Sequence, residues 1–254
     1  MMKLFGRTIG QGQPLLILHG LFGSSDNWQT HAKKLSDHFQ VHLVDQRNHG
    51  HSPQSHKMNY DVLAEDLYEF VAEHGLRDLL LIGHSMGGKT IMRFAQKYNF
   101  LIDKMIVADM GIRQYPSHHD AVFRGLFAVD VDNCPGRKEA EDRLIEHIGD
   151  AGTRQFLLKN LFWKEQGKLA WRFNLPVLFD QRQNLMAALP AERIEAHTLF
   201  LRGGLSHYVA DEDFTEIKKL ALNAELDTIP NAGHWLHADA PGVFLEKAMS
   251  FFGA

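Results

Sequence analysis

The sequence predicts an α/β fold: a mostly parallel sheet covered by helices on both sides. Two observations carry this. Short, unbroken apolar runs recur along the chain, and stretches with helical periodicity lie between several of them. A strand buried on both faces reads as a continuous apolar run, because neither of its sides meets water, and alternation with helices is the pattern of a parallel sheet.

The elements follow in order. Gly10-Gln11-Gly12-Gln13-Pro14 reads as a plain turn, and Leu15-Leu16-Ile17-Leu18 as a strand ending at His19-Gly20. Val41-His42-Leu43-Val44 ends at Asp45. Residues 60–74 place Leu63, Leu67, Phe70 and Val71 on one face, which predicts an amphipathic helix. Leu79-Leu80-Leu81-Ile82 ends at Gly83 and runs into a helix-like stretch. Residues 105–108 end at Asp109, 197–201 at Arg202-Gly203-Gly204, and 224–229 at Pro230. The alternation breaks over 111–190, which is helical and aromatic (Phe123, Phe127, Phe156, Phe162, Trp163, Trp171, Phe173). Residues 1–110 and 191–254 are therefore expected to form the core. Residues 111–190 read as a helical insertion, either extra core or a lid over an apolar substrate pocket.

With 254 residues and 44% hydrophobic content, the chain fits one domain with one main core. Charged residues make up 23%, the net charge is −4 and no basic stripe stands out, so nucleic acid is not an expected partner. The one cysteine, Cys134, excludes an internal disulfide and fits a reducing compartment. The first residues lack an apolar leader, and no apolar run approaches the ~20 residues that span a bilayer. A soluble, cytoplasmic protein is expected. The sixteen histidines include the pairs His49/His51, His118/His119 and His234/His237. None forms H-E-x-x-H, and no cysteine or carboxylate cluster completes a ligand set, so no metal is expected.

Two motifs overlap after the third apolar run. Gly83-His84-Ser85-Met86-Gly87 is G-x-S-x-G in a strand–turn–helix setting, where a strained serine projects its hydroxyl at the carboxyl end of a sheet. Gly83 to Thr90 also reads G-x-x-x-x-G-K-T, the phosphate loop of a nucleotide hydrolase, with 105–109 as its acidic strand. The remaining residues favour the serine. The motif follows the third strand-like run, whereas phosphate loops usually follow the first. His19-Gly20-Leu21-Phe22-Gly23 follows a strand upstream, where such a turn can aim a backbone N–H at the serine as an oxyanion hole requires. Ala232-Gly233-His234-Trp235 follows the last strand, where the chain order Ser, Asp, His places the base. The phosphate-loop reading leaves both of these idle. A binding module that merely keeps hydrolase motifs is disfavoured by the intact Ser85 and His234.

With these residues in view, the chain resembles the α/β-hydrolases, and most closely the YbfF-like carboxylesterases, over nearly its whole length. The resemblance rests on His19-Gly20-Leu21-Phe22-Gly23-Ser24, Asp45-Gln46-Arg47-Asn48-His49-Gly50-His51-Ser52-Pro53, Gly83 to Lys89, Trp171-Arg172-Phe173-Asn174-Leu175 and Gly233-His234-Trp235. It implies the α/β-hydrolase fold, an eight-stranded, mostly parallel sheet with a helical cap, and hydrolysis of short-chain esters or thioesters without a cofactor. The same site supports C–C bond hydrolysis, lactone hydrolysis and a pyruvate-eliminating lyase reaction of menaquinone synthesis. The implied roles are Ser85 as nucleophile, His234 as base, and the backbone N–H groups of Leu21 and Met86 as oxyanion hole, where one donor is worth about 2.7–4 kcal/mol. Phe22 and Trp235 would border the acyl pocket, or simply pack. Many relatives carry the acid in the turn after the strand at 197–201, but here Ser206 stands at that position. Asp109 is the expected acid, with Asp211 as the alternative. Asp45, Arg47 and His49 read as a structural network around a turn.

Overall fold

The computed structural model describes residues 2–116, 119–165 and 167–254; His118, of the histidine pair 118/119, lies outside them. The strands are β1 (Gly6–Ile9), β2 (Pro14–Leu18), β3 (Gln40–Val44), β4 (Leu79–His84), β5 (Ile102–Ala108), β6 (Leu161–Glu165), β7 (Lys168–Trp171), β8 (His197–Gly203) and β9 (Ala224–Ile229). The helices are α1 (Gln29–Leu35), α2 (Tyr60–Glu73), α3 (Met86–Tyr98), α4 (Asp120–Ala128), α5 (Arg137–Ile145), α6 (Ala151–Leu158), α7 (Leu175–Asp180), α8 (Arg182–Met186), α9 (Asp211–Leu220), α10 (Leu236–Asp239) and α11 (Pro241–Phe252).

The main sheet has the order β1-β3-β2-β4-β5-β8-β9. Only β1 is antiparallel; every other neighbouring pair is parallel. Among the described residues it has seven strands, one fewer than the resemblance implies. Residues 2–5 do not extend it: the Phe5 carbonyl accepts from the Asp45 N–H, and no strand forms over those four residues. The edge strand β1 escapes an apolar-run reading because its residues are mostly exposed. Side-chain alternation splits the core in two. Leu16, Leu18, Leu79, Leu81 and Val107 pack on the α2/α3 side, while Leu15, Ile17, Leu80, Ile82 and Ile106 pack on the side of α1 and α11.

Residues between β5 and β8 form α4 to α8 and one hairpin, β6–β7, which an all-helical reading of 111–190 does not anticipate. Aromatic residues suit helix faces and strands alike, and the Gly167 turn (φ +80°) decides for the hairpin. Because the strands run parallel, the segments after β2, β3, β4, β5, β8 and β9 all emerge at one edge of the sheet. Ligands bind at that edge in open α/β sheets.

Candidate active site

Ser85 is the single residue between β4 and α3, with φ 53° and ψ −117°. The tight reversal has a steric requirement. A Cβ on Gly83 would stand 2.4 Å from the Gly87 carbonyl oxygen, and one on Gly87 would stand 2.4 Å from that of Leu18. Only glycine fits at either place. The positive φ of a serine is strained, and the structure holds it with two bonds: Ser85 N–H to the Ala108 carbonyl (3.1 Å) and Lys89 N–H to the Ser85 carbonyl (3.1 Å).

His234, in the loop after β9, meets Ser85. Its Nε2 accepts from the Ser85 hydroxyl at 3.0 Å, and its Nδ1–H donates to Asp109 Oδ2 at 2.7 Å. Asp109 directly follows β5, also at positive φ (50°), and is fully buried. Its carboxylate accepts from three donors: His234 Nδ1–H, the Gly203 N–H (3.1 Å to Oδ1) and the Ser206 hydroxyl on Oδ2. Ser206, in the turn after β8, is thus a hydrogen-bond donor to the carboxylate that follows the neighbouring strand β5. Asp211 does not reach His234. It heads α9, pairs with Arg202 at 2.8 Å and leaves 79% of its side chain exposed.

The imidazole of His234 packs against the rings of Tyr208 and His84. The Tyr208 ring stacks on it at 3.8 Å, and burial together with the Asp109 charge pushes the Tyr208 hydroxyl up to about 12. Behind it, His84 Nε2–H donates to the His234 carbonyl at 2.8 Å, and burial holds His84 well below the usual histidine range. No local motif marks Tyr208; only the fold brings it here.

The turn after β2 approaches Ser85 from the other side. The Gly20 carbonyl accepts from His19 Nδ1–H (2.8 Å) and the Gly23 N–H (3.0 Å). Phe22 sits at φ 60°, its N–H donating to His49 Nε2 (3.2 Å) and its carbonyl accepting from Asn160 Nδ2–H (2.8 Å). Asn160, after α6, was invisible to sequence reasoning because no pattern singles it out. The turn after β3 rests on two separate carboxylates: Asp45 accepts the Ser25 and His51 N–H groups, while Arg47 forms its buried bidentate pair with Asp66 rather than with Asp45. The Trp171–Asn174 segment ties in as well. Phe173 packs on Phe22, and the Asn174 N–H donates to the Asn48 carbonyl.

Among the described residues, two cavities adjoin Ser85. The larger, about 70 Å³, is bordered by Leu21, Phe22, Phe156, Leu157, His234 and Trp235. The smaller, about 20 Å³, is bordered by Leu21, Met86, Tyr60, Met110, Leu185 and Met186, among others. Phe22 and Trp235 both border the larger cleft, Trp235 against Phe156, and neither borders the smaller one.

The phosphate-loop reading finds no loop. One residue separates β4 from α3, the Thr90 hydroxyl donates to Gln46 Oε1 at 2.7 Å, and the Lys89 side chain is buried. The histidine pairs separate too: His49 serves the Phe22 N–H, and His237 stacks on Trp28 at 4.2 Å. Among the described residues, no three His, Cys, Asp or Glu side chains gather as a metal site, and no helix is long and apolar enough to cross a membrane.

Comparison with known proteins agrees with this architecture. The family model described as "alpha/beta hydrolase fold" matches residues 13–143. The chain is 38% identical to the mouse (Mus musculus) "sn-1-specific diacylglycerol lipase ABHD11", covering 93% of this chain and 80% of that one. It is 34% identical to "Esterase YbfF" of Escherichia coli (strain K12), covering 91% and 90%. A solved structure, "Marine microorganism esterase", superposes with a TM-score of 0.96 at 42% identity, over 99% of this chain and 100% of that one. With family model, relatives and topology in agreement, this chain belongs to the α/β-hydrolase fold family and is a hydrolase of its esterase/lipase group.

Proposed function

We propose that the protein is a serine esterase that cleaves short-to-medium acyl esters or thioesters through an acyl-enzyme, with Ser85 as nucleophile, His234 as base and Asp109 as its orienter. The observation that carries the reading is the continuous line Ser85 Oγ, His234 Nε2, His234 Nδ1, Asp109 Oδ2, with steps of 3.0 and 2.7 Å across the imidazole. Ser85 attacks the acyl carbonyl as His234 takes its proton; the imidazolium then protonates the leaving alcohol or thiol. Water, deprotonated by His234, attacks the acyl-enzyme and frees the acid. Asp109 keeps the ring in the tautomer whose Nε2 is an acceptor and stabilises the imidazolium.

The oxyanion of each tetrahedral intermediate rests on the backbone N–H groups of Leu21 and Met86. Met86 opens α3, so its N–H has no partner within the helix. In a trans peptide the C=O and N–H point in opposite directions, so the two bonds on the Gly20 carbonyl turn the Leu21 N–H away from them. Residues 111–190 serve as a lid on a core of 1–110 and 191–254; Phe156 and Leu157 from this segment border the cleft. The single cysteine, Cys134, supports a cytoplasmic location.

Replacing Ser85 by Ala tests the reading. Turnover of p-nitrophenyl butyrate should vanish with the circular dichroism spectrum unchanged, a fluorophosphonate should label the wild type alone, and intact mass should show an acylated wild-type intermediate. Retained turnover in Ser85→Ala refutes it.

A further inference from the structure

Lys89 is a charged residue that the proposed esterase chemistry does not use. It lies one helical turn beyond Ser85 on α3 and is fully buried. A buried cation is costly unless it is well partnered, and this one has no carboxylate. Its ammonium donates instead to two backbone carbonyls, Arg113 (2.7 Å) and Ala187, and lies 5.0 Å from the ring centroid of Tyr115 and 5.5 Å from that of Tyr60. Burial lowers its pKa to about 7; charged or neutral, it keeps at least two N–H donors for two carbonyls.

The partners have a common position. Arg113 stands just after β5 and Ala187 just after α8, so they mark the two stems by which 111–190 leaves and rejoins the sheet. The stems also bond to each other, Tyr115 N–H to the Met186 carbonyl and Leu189 N–H to the Ile112 carbonyl, both 2.9 Å. Tyr60, Tyr115, Leu185 and Met186 all border the smaller cavity beside Ser85. The Tyr60 hydroxyl donates to the Leu185 carbonyl at 2.7 Å and anchors the same wall from α2.

We propose that Lys89 is a positioning residue that latches both stems of the 111–190 segment to the helix behind Ser85, and that the wall so fixed makes the smaller cavity an acyl pocket restricted to short chains. This rests on the esterase reading and adds to it which recess takes the acyl chain and what limits its length. The larger, open cleft then receives the leaving group.

The test compares kcat and KM for p-nitrophenyl butyrate and octanoate in wild type, Lys89→Met and Tyr60→Phe, together with fluorophosphonate labelling of Ser85. Lys89→Met releases the wall from a residue that borders neither cavity, whereas Tyr60→Phe, within the wall itself, removes the hydroxyl that holds the Leu185 carbonyl. The octanoate-to-butyrate ratio of kcat/KM should rise about tenfold, on the scale that pocket fit sets for hydrophobic discrimination. The gain should come from a lower KM for octanoate, with Ser85 labelling kept. A ratio within twofold of wild type, or an equal fall for both esters, overturns the latch. If Lys89→Met does not fold, an unchanged ratio in Tyr60→Phe overturns it alone. Wild type that turns over neither ester would overturn the esterase reading and the latch together, whereas a flat ratio in an active enzyme removes only the latch.

Discussion

Asp109→Asn is the sharpest perturbation of the proposed site, because the carboxylate serves three donors at once: His234 Nδ1–H, Ser206 Oγ–H and Gly203 N–H. A carboxamide offers one acceptor oxygen and an NH2 group that can only donate. With its oxygen toward Gly203, the NH2 faces His234 Nδ1, which must become an acceptor. The ring proton then moves to Nε2 and blocks the atom that takes the Ser85 proton. With its oxygen toward His234, the NH2 opposes the Gly203 N–H, and a buried unpaired donor costs about 1–3 kcal/mol. In either pose no negative charge stabilises the imidazolium. The same exchange in a Ser-His-Asp triad costs about 10⁴-fold in kcat, equivalent to about 5.4 kcal/mol at 1.36 kcal/mol per tenfold. We expect kcat/KM on p-nitrophenyl butyrate to fall by about 10³–10⁴, with far-UV circular dichroism unchanged. Asp211→Asn, at an exposed ion pair with Arg202, should change it less than about twofold. An Asp109→Asn enzyme within tenfold of wild type, or an Asp211→Asn enzyme as impaired as it, would refute the assignment of the acid.

Two further outcomes follow from the surroundings of the site. Asn160→Ala leaves the buried Phe22 carbonyl without its 2.8 Å partner and loosens the turn that carries Leu21; kcat should fall about tenfold, one bond's worth of about 1–1.5 kcal/mol, with KM little changed, and a fall in KM alone would contradict this. Burial lowers His42 to about 4 and His49 and His237 to about 3, so each stays neutral in the folded chain while the unfolded chain protonates near 6.5. The unfolded state therefore binds more protons as pH falls from about 6.5 towards 4. Stability should be lost across that window at up to about 1.4 kcal/mol per pH unit per histidine. Urea midpoints that do not move between pH 7 and pH 5 would refute it.

Much of the fold was legible in the chain because its signals are local. The apolar runs within β2, β3, β4, β5 and β8 are nearly continuous, since these inner parallel strands are buried on both faces, whereas the edge strand β9 alternates apolar and polar residues. Gly83 and Gly87 announce the elbow, because only a residue without a Cβ fits where two backbones nearly touch. The hairpin β6–β7 and the exposed edge strand β1 carry no comparable mark.

Identity and chain order therefore determined the sheet, the elbow, the candidate nucleophile and its base. What only the tertiary structure decided is which groups meet. Asp109 rather than Asp211 stands at His234, Ser206 donates to that carboxylate, Tyr208 stacks on the ring, His84 holds the His234 carbonyl, and Asn160 reaches Phe22 across 138 residues. Lys89, which the sequence marks only through the disfavoured phosphate-loop pattern, is in the fold a buried cation on two carbonyls. The physical reason is that strand and turn preferences act over a few neighbouring residues. A hydrogen bond between residues 125 apart exists only once β5 and β9 lie in one sheet, with their carboxyl ends on the same edge.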